Sequence, residues 1–242
     1  MDDFVAIICG LKSEGAVVRS ALSDAGLNEK RFRIGVSGAR AAEARTIAER
    51  YASDGARVLL SVGVSGGLDP SLMPGDLIVT SDVVRNGGDR IAVHAGFQNK
   101  LTVADFQMQE GGEEAWRAGP ILGSDVIVQS ADEKARLFAE TGALAVDMES
   151  HAVAEIAAAR GLSFFAIRSV ADPSDRALPA AAMDAVAPDG STRVIRTLMK
   201  AASSPAQFPA LVQLGRDSGA ALKRLRTALP SLLAVAGAAS ME

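Results

Sequence analysis

The feature that most limits what this chain can become is a series of short, continuous apolar runs, each followed by a segment of helical period. Phe4-Val5-Ala6-Ile7-Ile8-Cys9 opens the series. A run of that length, rich in β-branched residues and without polar alternation, is the pattern of a strand covered on both faces. Residues 13–24 then read as a helix, with Ser13 as its N-cap and Gly26 near its end. Residues 32–36 repeat the strand, residues 40–51 form an Ala-rich amphipathic helix, and residues 58–62 are a third buried strand running into Gly63-Val64-Ser65-Gly66-Gly67. Pro74-Gly75 turns the chain into another strand at 76–80. From residue 121 the alternation returns as strand 121–128, helix 131–141, short strand 144–146, helix 148–160 closed by Gly161, and strand 163–169. That last strand delivers Ala171-Asp172-Pro173. Such alternation predicts an α/β fold on a parallel or mixed sheet, in which ligands sit beyond the carboxyl ends of the strands.

At 242 residues and 48% hydrophobic content, the chain can bury one large core, and no shift in composition divides it. The expected division is a domain over residues 1–190 and a helical extension over 191–242 packed on it. The tail reads as two or more helices carrying Phe208, Leu211, Leu214, Leu222, Leu225 and Leu229, with a basic face from Arg216, Lys223, Arg224 and Arg226. That amphipathic character suits packing with one solvated face, and its second use would be contact with an anionic membrane surface. Residues 85–116, punctuated by Gly87-Gly88 and Gly111-Gly112, are the least regular and read as a flap.

The net charge of −4 argues against a sequence-independent grip on nucleic acid, which needs clustered Lys and Arg. A small-molecule substrate fits better. The single cysteine, Cys9, lies inside the first strand and reads as a core residue, so neither an internal disulfide nor a cysteine metal site is available. The start Met1-Asp2-Asp3, followed by a short apolar stretch, is unlike a signal peptide or a spanning helix, and the cytoplasm is the expected compartment.

Three places carry chemistry. Gly63-Val64-Ser65-Gly66-Gly67 has the letters of a nucleophile elbow, but the turn residues Leu68-Asp69-Pro70 follow where that motif needs a helix. The histidines His94 and His151 read as flap or surface residues rather than bases. The loop instead reads as a simple turn or as a cradle whose backbone N–H groups and Ser65 hydroxyl hold phosphate, ribose or an attacking water. Val146-Asp147-Met148-Glu149-Ser150 opens a helix, where a carboxylate is stabilised by free N–H groups. Glu149 is also an acceptor-only group suited to sugar hydroxyls, with Met148 packing on the sugar's apolar face. Asp172 ends an apolar strand; it is either a turn-capping residue before Pro173 or a carboxyl whose burial keeps it protonated as a general acid.

Taken together, Met148-Glu149 and Asp172 make the sequence resemble methylthioadenosine and S-adenosylhomocysteine nucleosidases and the wider nucleoside phosphorylase superfamily, over roughly residues 3–175. The resemblance implies a three-layer α/β/α fold around a central mixed, twisted sheet. It places Glu14, in Gly10-Leu11-Lys12-Ser13-Glu14, at the water-activating position. Ile127 and Val128 would flank the purine, Asp147-Met148-Glu149 would open the ribose-binding helix, and Asp172 would protonate purine N7. The loop would bind through Val64, Ser65 and Gly66; the family's loop hydroxyl falls at Val64 here and Ser65 stands beside it, while Ala171 replaces the serine before the acid. Pro173-Ser174-Asp175-Arg176-Ala177-Leu178-Pro179, Pro188-Asp189-Gly190 and the run from Pro209 to Asp217 are most like the hopanoid-associated phosphorylase branch.

The function so implied is release of adenine from a 5′-substituted adenosine, adenosylhopane in that branch, by hydrolysis or phosphorolysis. Glu14 favours water, whereas phosphate as co-substrate would need Arg40 and Ser65. Alternatives are a methylthioadenosine/S-adenosylhomocysteine-type nucleosidase, a general purine nucleoside phosphorylase, or a nucleoside-binding protein without catalysis. No metal and no cofactor is implied. The expected partners are a nucleoside, lipid-linked in the hopanoid case, and further copies of the chain as a homo-oligomer, with a dimer favoured; an inner-membrane surface contact would accompany the lipid.

Overall fold

Every residue of Phe4–Cys9 is buried, as expected for a strand with helices on both sides, and the rest of the fold is assembled around it. In the computed structural model, residues 3–85, 88–92, 116–182, 186–192 and 207–239 are described. In chain order they form β1 (Phe4–Cys9), α1 (Lys12–Asp24), β2 (Phe32–Val36), α2 (Ala41–Ser53), β3 (Ala56–Gly67), β4 (Leu77–Arg85), β5 (Arg90–Ala92), β6 (Arg117–Gly123), α3 (Ala131–Thr141), β7 (Ala145–Asp147), α4 (Ser150–Arg160), β8 (Ser163–Asp172) and α5 (Phe208–Ala239).

β1 lies between β2 and β3, parallel to both. β8 runs parallel to β3 from the Val58↔Ser163 pair to Gly66↔Asp172. β4 joins β8 antiparallel and β6 parallel, β7 joins β6 parallel, and β7 returns antiparallel to the end of β3 at Gly66↔Val146. The mixed sheet therefore curls until β3, β8, β4, β6 and β7 close a ring. A register shift between Ser65 and Gly66 supplies the local bend that such closure requires. Closure brings the last residues of β3, β7 and β8 together at one end. That end holds Ser65, Asp147 and Asp172.

Helices cover the sheet in two groups. α2 packs with α4, and α1 packs with α5, which also lies on β8 and β3. The resulting helix–sheet–helix arrangement is the α/β architecture that the alternating pattern called for. α3 covers a smaller apolar cluster that includes Leu68, Leu122, Val128 and Leu137. Both α3 and α4 end on glycines in the left-handed region, Gly142 at φ 66° and Gly161 at φ 65°, where L side chains are disfavoured.

Three details depart from the sequence reading. α1 starts at Lys12 with Leu11 as N-cap rather than Ser13, and the Glu14 carboxylate at N3 reaches back to accept the Leu11 N–H at 2.8 Å, the reciprocal half of a capping box. β6 stops at Gly123, so Ile127 and Val128 lie in the loop beyond it. The described part of the tail, 207–239, carries one helix that runs through Pro230: Leu225 and Leu229 precede the proline, Leu232 and Leu233 follow it, and all four leucines are buried, which holds the helix continuous. Most of the segment expected as a flap, 93–115, lies outside the described residues, as do 193–206 of the tail.

Candidate active site

Glu14 enters the site because two glycines make room for it. A Cβ on Gly63 would lie 2.7 Å from Glu14 Oε1, and one on Gly10 would lie 2.7 Å from Glu149 Oε1 and 3.4 Å from Glu14 Oε2. Gly10 directly follows β1 and Gly63 lies within β3, so the chain approaches both carboxylates with bare backbone. Val64 N donates to Glu14 Oε1 at 2.8 Å, and Leu11 N to Oε2 at 2.8 Å. The carboxylate is held from both sides. Burial nevertheless pushes its pKa up, the backbone donors and Arg168 opposing.

Glu149 is the N-cap of α4, and Asp147 just before it caps the helix through Ser150 N at 3.1 Å and Ser150 Oγ at 2.6 Å. Both carboxylates surround Arg168, a fully buried side chain in the middle of β8. Its guanidinium ion-pairs with Asp147, stands 3.9 Å from Glu149 Oε2, and donates to Ser61 O at 2.7 Å and Ser61 Oγ at 2.6 Å. One cation thus faces Asp147, Glu149 and Glu14. The surplus of negative charge has a consequence for Glu149, whose carboxyl is pushed up to about 8 by burial first and by Asp147 next.

Asp172 closes the opposite side. It ends β8 beside Gly66, and its carboxyl is raised by burial against the lowering effect of Lys134, a completely buried lysine on α3 with which it pairs. Between these groups lies a cavity of about 340 Å³ lined by Glu14, Glu149 and Asp172, by Val64, Ser65 and Gly66, and by Ile127, Val128 and Met148. The Ser65 hydroxyl is buried and has no partner among the described residues. A Ser124 side chain holds the Val126 to Val128 loop by accepting from Val126 N at 3.2 Å and donating to Val126 O at 2.7 Å. Leu214 and Ser218 of α5 complete the wall, while Val126 and Phe208 are more than half exposed.

The structure therefore gathers nine of the ten residues expected at the site and leaves one apart. Arg40 is not on the wall; it donates to Pro188 O at 3.2 Å and lies 3.8 Å from Glu43. Among the described lining residues none is Lys or Arg. His151 is buried on α4, 3.2 Å from Asp125, and His94 lies outside the described residues. Among the described residues no group of three or more His, Cys, Asp or Glu could hold a metal ion.

Two residues of the site were missed in the sequence. Arg168 stood as a lone charge inside the apolar run 163–171, a signal that asks for buried acidic partners. Lys134 stood three residues before Leu137 on the apolar stripe of its helix, a register that faces the core.

The model of the family described as the phosphorylase superfamily matches residues 8–203. The chain belongs to the phosphorylase superfamily. It is 28% identical over 155 residues to a 5′-methylthioadenosine/S-adenosylhomocysteine nucleosidase of Treponema pallidum, covering 49% of this chain and 57% of that protein. It is 30% identical over 132 residues to a DeoD-type purine nucleoside phosphorylase of Clostridium beijerinckii, covering 51% and 55%. The chain thus spans a little over half the length of these curated relatives. The solved 5′-methylthioadenosine/S-adenosylhomocysteine nucleosidase of Neisseria meningitidis superposes with a TM-score of 0.66 at 18% identity, over 96% of this chain and all of that one, which shows the shared fold.

Proposed function

We propose that this superfamily member cleaves the N-glycosidic bond of an adenosine bearing an apolar 5′ substituent, with water as the nucleophile. The observation that carries the reading is the convergence of three buried carboxyls, Glu14, Glu149 and Asp172, on one cavity whose described wall offers no cation. Cleavage of this bond builds positive charge on the ribosyl ring and negative charge on the leaving purine. Carboxylates suit the first and a protonated carboxyl suits the second. In this reading Glu149 accepts from the ribose hydroxyls, Met148 packs on the sugar, Ile127 and Val128 flank the base, and Asp172 protonates N7. Glu14 orients and deprotonates the water, with Ser65 as a further polar contact. Phosphate, an anion, would meet Glu14 and Glu149 with Arg40 turned elsewhere, so hydrolysis fits the charge better than phosphorolysis.

The 5′ end points to the substituent. Leu214 reaches the cavity from α5, Leu211 lies one turn back on the same stripe, and Val126 and Ile127 of the cavity wall expose apolar surface. An exposed apolar rim beside a small polar cavity suits a lipid-like 5′ group such as that of adenosylhopane. No described helix is long and apolar enough to cross a membrane; a cytoplasmic homo-oligomer, a dimer for preference, meeting the lipid at the membrane surface belongs to the same reading.

The test is a series of adenosines with 5′-thioether chains of increasing length, with free adenine followed by chromatography. Each buried methylene is worth about 0.8 kcal/mol, so kcat/KM should climb several-fold per carbon until the rim is covered. Leu214→Ser should flatten the series. A series that falls with chain length would leave a nucleosidase for small 5′ groups.

A further inference from the structure

We infer that Lys134 is the proton source behind Asp172, so that the acid of the site is a buried lysine–carboxyl couple rather than a lone carboxyl. The inference rests on the reading of Asp172 as the group that protonates the leaving purine.

Lys134 is fully buried, and its three N–H bonds are all spent: on the Asp172 carboxylate, on Pro173 O at 2.8 Å and on Arg176 O at 2.9 Å. Asp172 lines the cavity and Lys134 does not, so a proton leaving the lysine for the cavity must pass through the carboxyl. The surroundings suit both forms of the couple. As an ammonium, the lysine donates three hydrogen bonds. As an amine, it still donates to the two carbonyls while its lone pair accepts from the Asp172 O–H. No polar atom is orphaned by the transfer.

The other charged groups packed around the couple do not replace it. Arg176, on the loop after β8, is paired with Asp217 of α5 at 2.7 Å, and Arg168 serves Asp147 on the far side of β8. Across the cavity stand Glu14 and Glu149, both acidic. Among the described residues Lys134 is the cation in direct contact with Asp172, and a lysine can pass on a proton where an arginine cannot.

The C1′–N9 bond breaks and its electron pair passes to the purine; N7 takes the proton of the Asp172 carboxyl, which takes one from the Lys134 ammonium. Water adds to C1′ and yields its proton to Glu14. After product release, Glu14 returns its proton to solvent and Lys134 regains one.

The test compares kcat for adenine release from 5′-methylthioadenosine in wild type, Lys134→Met and Lys134→Arg across pH, each variant taken as a ratio to wild type so that the titration of Glu149 cancels. With methionine, Asp172 becomes a lone buried carboxyl that loses its proton as pH rises, so the ratio should start within about tenfold of unity near pH 5.5 and fall roughly a further tenfold or more by about pH 8.5. With arginine, the contacts persist but the proton is not given up, so the ratio should be low at every pH and below that of methionine near the acid end. A flat ratio for methionine, or arginine outperforming methionine at acid pH, would mean that the lysine only anchors the loop, and would overturn the inference. Melting curves recorded at each pH restrict the comparison to the range over which the variants are fully folded, so that incomplete folding cannot supply the slope. In substrate-free protein, the Asp172 carboxyl carbon, followed by NMR and assigned with Asp172→Asn, should titrate at higher pH in Lys134→Met than in wild type. Equal titration would sink the couple even in a protein that proves to release adenine, whereas a wild type that releases none would sink the functional reading itself.

Discussion

Replacing Gly63 by alanine isolates the contribution of Glu14's position, because the backbone there lies outside the left-handed region and only the added methyl matters. That carbon would sit 2.7 Å from Oε1 and 2.9 Å from both Cδ and Oε2 of Glu14, well inside the contact distance of about 3.5 Å. The carboxylate cannot simply swing aside, since it is tied to Val64 N and Leu11 N at 2.8 Å each. Relief therefore breaks or stretches at least one hydrogen bond to a charged group, a cost of about 1.5–3 kcal/mol. For a chain of this size that corresponds to a fall in Tm of roughly 3–12 °C. If the displacement persists in the transition state, adenine release should slow about 10- to 150-fold. Gly142→Ala is the matching control: nothing lies within 4 Å, but φ is 66°, so it should cost about 1–2 kcal/mol of stability and no turnover. Melting curves and the adenine assay measure both. A Gly63→Ala protein with wild-type rate would show that Glu14 has no part in the chemistry.

Arg168→Leu strands the carboxylates of Asp147, Glu149 and Glu14 in the interior; breaking a buried pair of this kind costs about 3–5 kcal/mol, and the drop in Tm should be larger at pH 8 than at about pH 5.5, where protonation relieves the stranded charge. Glu149 should make wild-type stability depend on pH. Its carboxyl is raised from 4.5 to about 8, so the folded state keeps a proton that the unfolded chain has lost between those values, and the associated stability, full below the lower value, is lost as pH rises through the higher one. Glu149→Gln should flatten that decline in Tm. Turnover runs the other way, because only ionised Glu149 accepts two ribose hydroxyls; kcat/KM should rise towards pH 8 in wild type and lose that limb in the glutamine variant.

Much of this was legible in the chain because the relevant signals are local. Buried strands announce themselves as unbroken apolar runs, so β1, β3 and β8 could be placed, and the helix closed at Gly161 ends there for a conformational reason that a single residue type reveals. Glu149 follows β7 and Asp172 ends β8, and strand ends are where such sheets expose their chemistry, whereas Glu14 came only through the resemblance to nucleosidases. Closure of the ring was not legible. It depends on β7, three residues long, pairing with the far end of β3, a contact that no periodicity encodes. The continuity of α5 across Pro230 was equally hidden, since it rests on what its flanking leucines touch. Arg168 and Lys134 mark the boundary most clearly: an unexpected charge on a buried face can be seen in the sequence, but which carboxylates neutralise it is decided by the strands and helices that fold brings alongside. Arg40 shows the converse, a cation placed near a strand end by sequence and turned by the fold onto Pro188 O.

The central claim is that three buried carboxyls at one cavity cleave a purine nucleoside with water. The most direct measurement is free adenine from 5′-methylthioadenosine in phosphate-free buffer and again with millimolar phosphate, with the sugar product identified in each case. The account predicts adenine and the free sugar in equal amounts without phosphate, and no acceleration when phosphate is added. Adenine that appears only with phosphate, together with a sugar 1-phosphate, would contradict it.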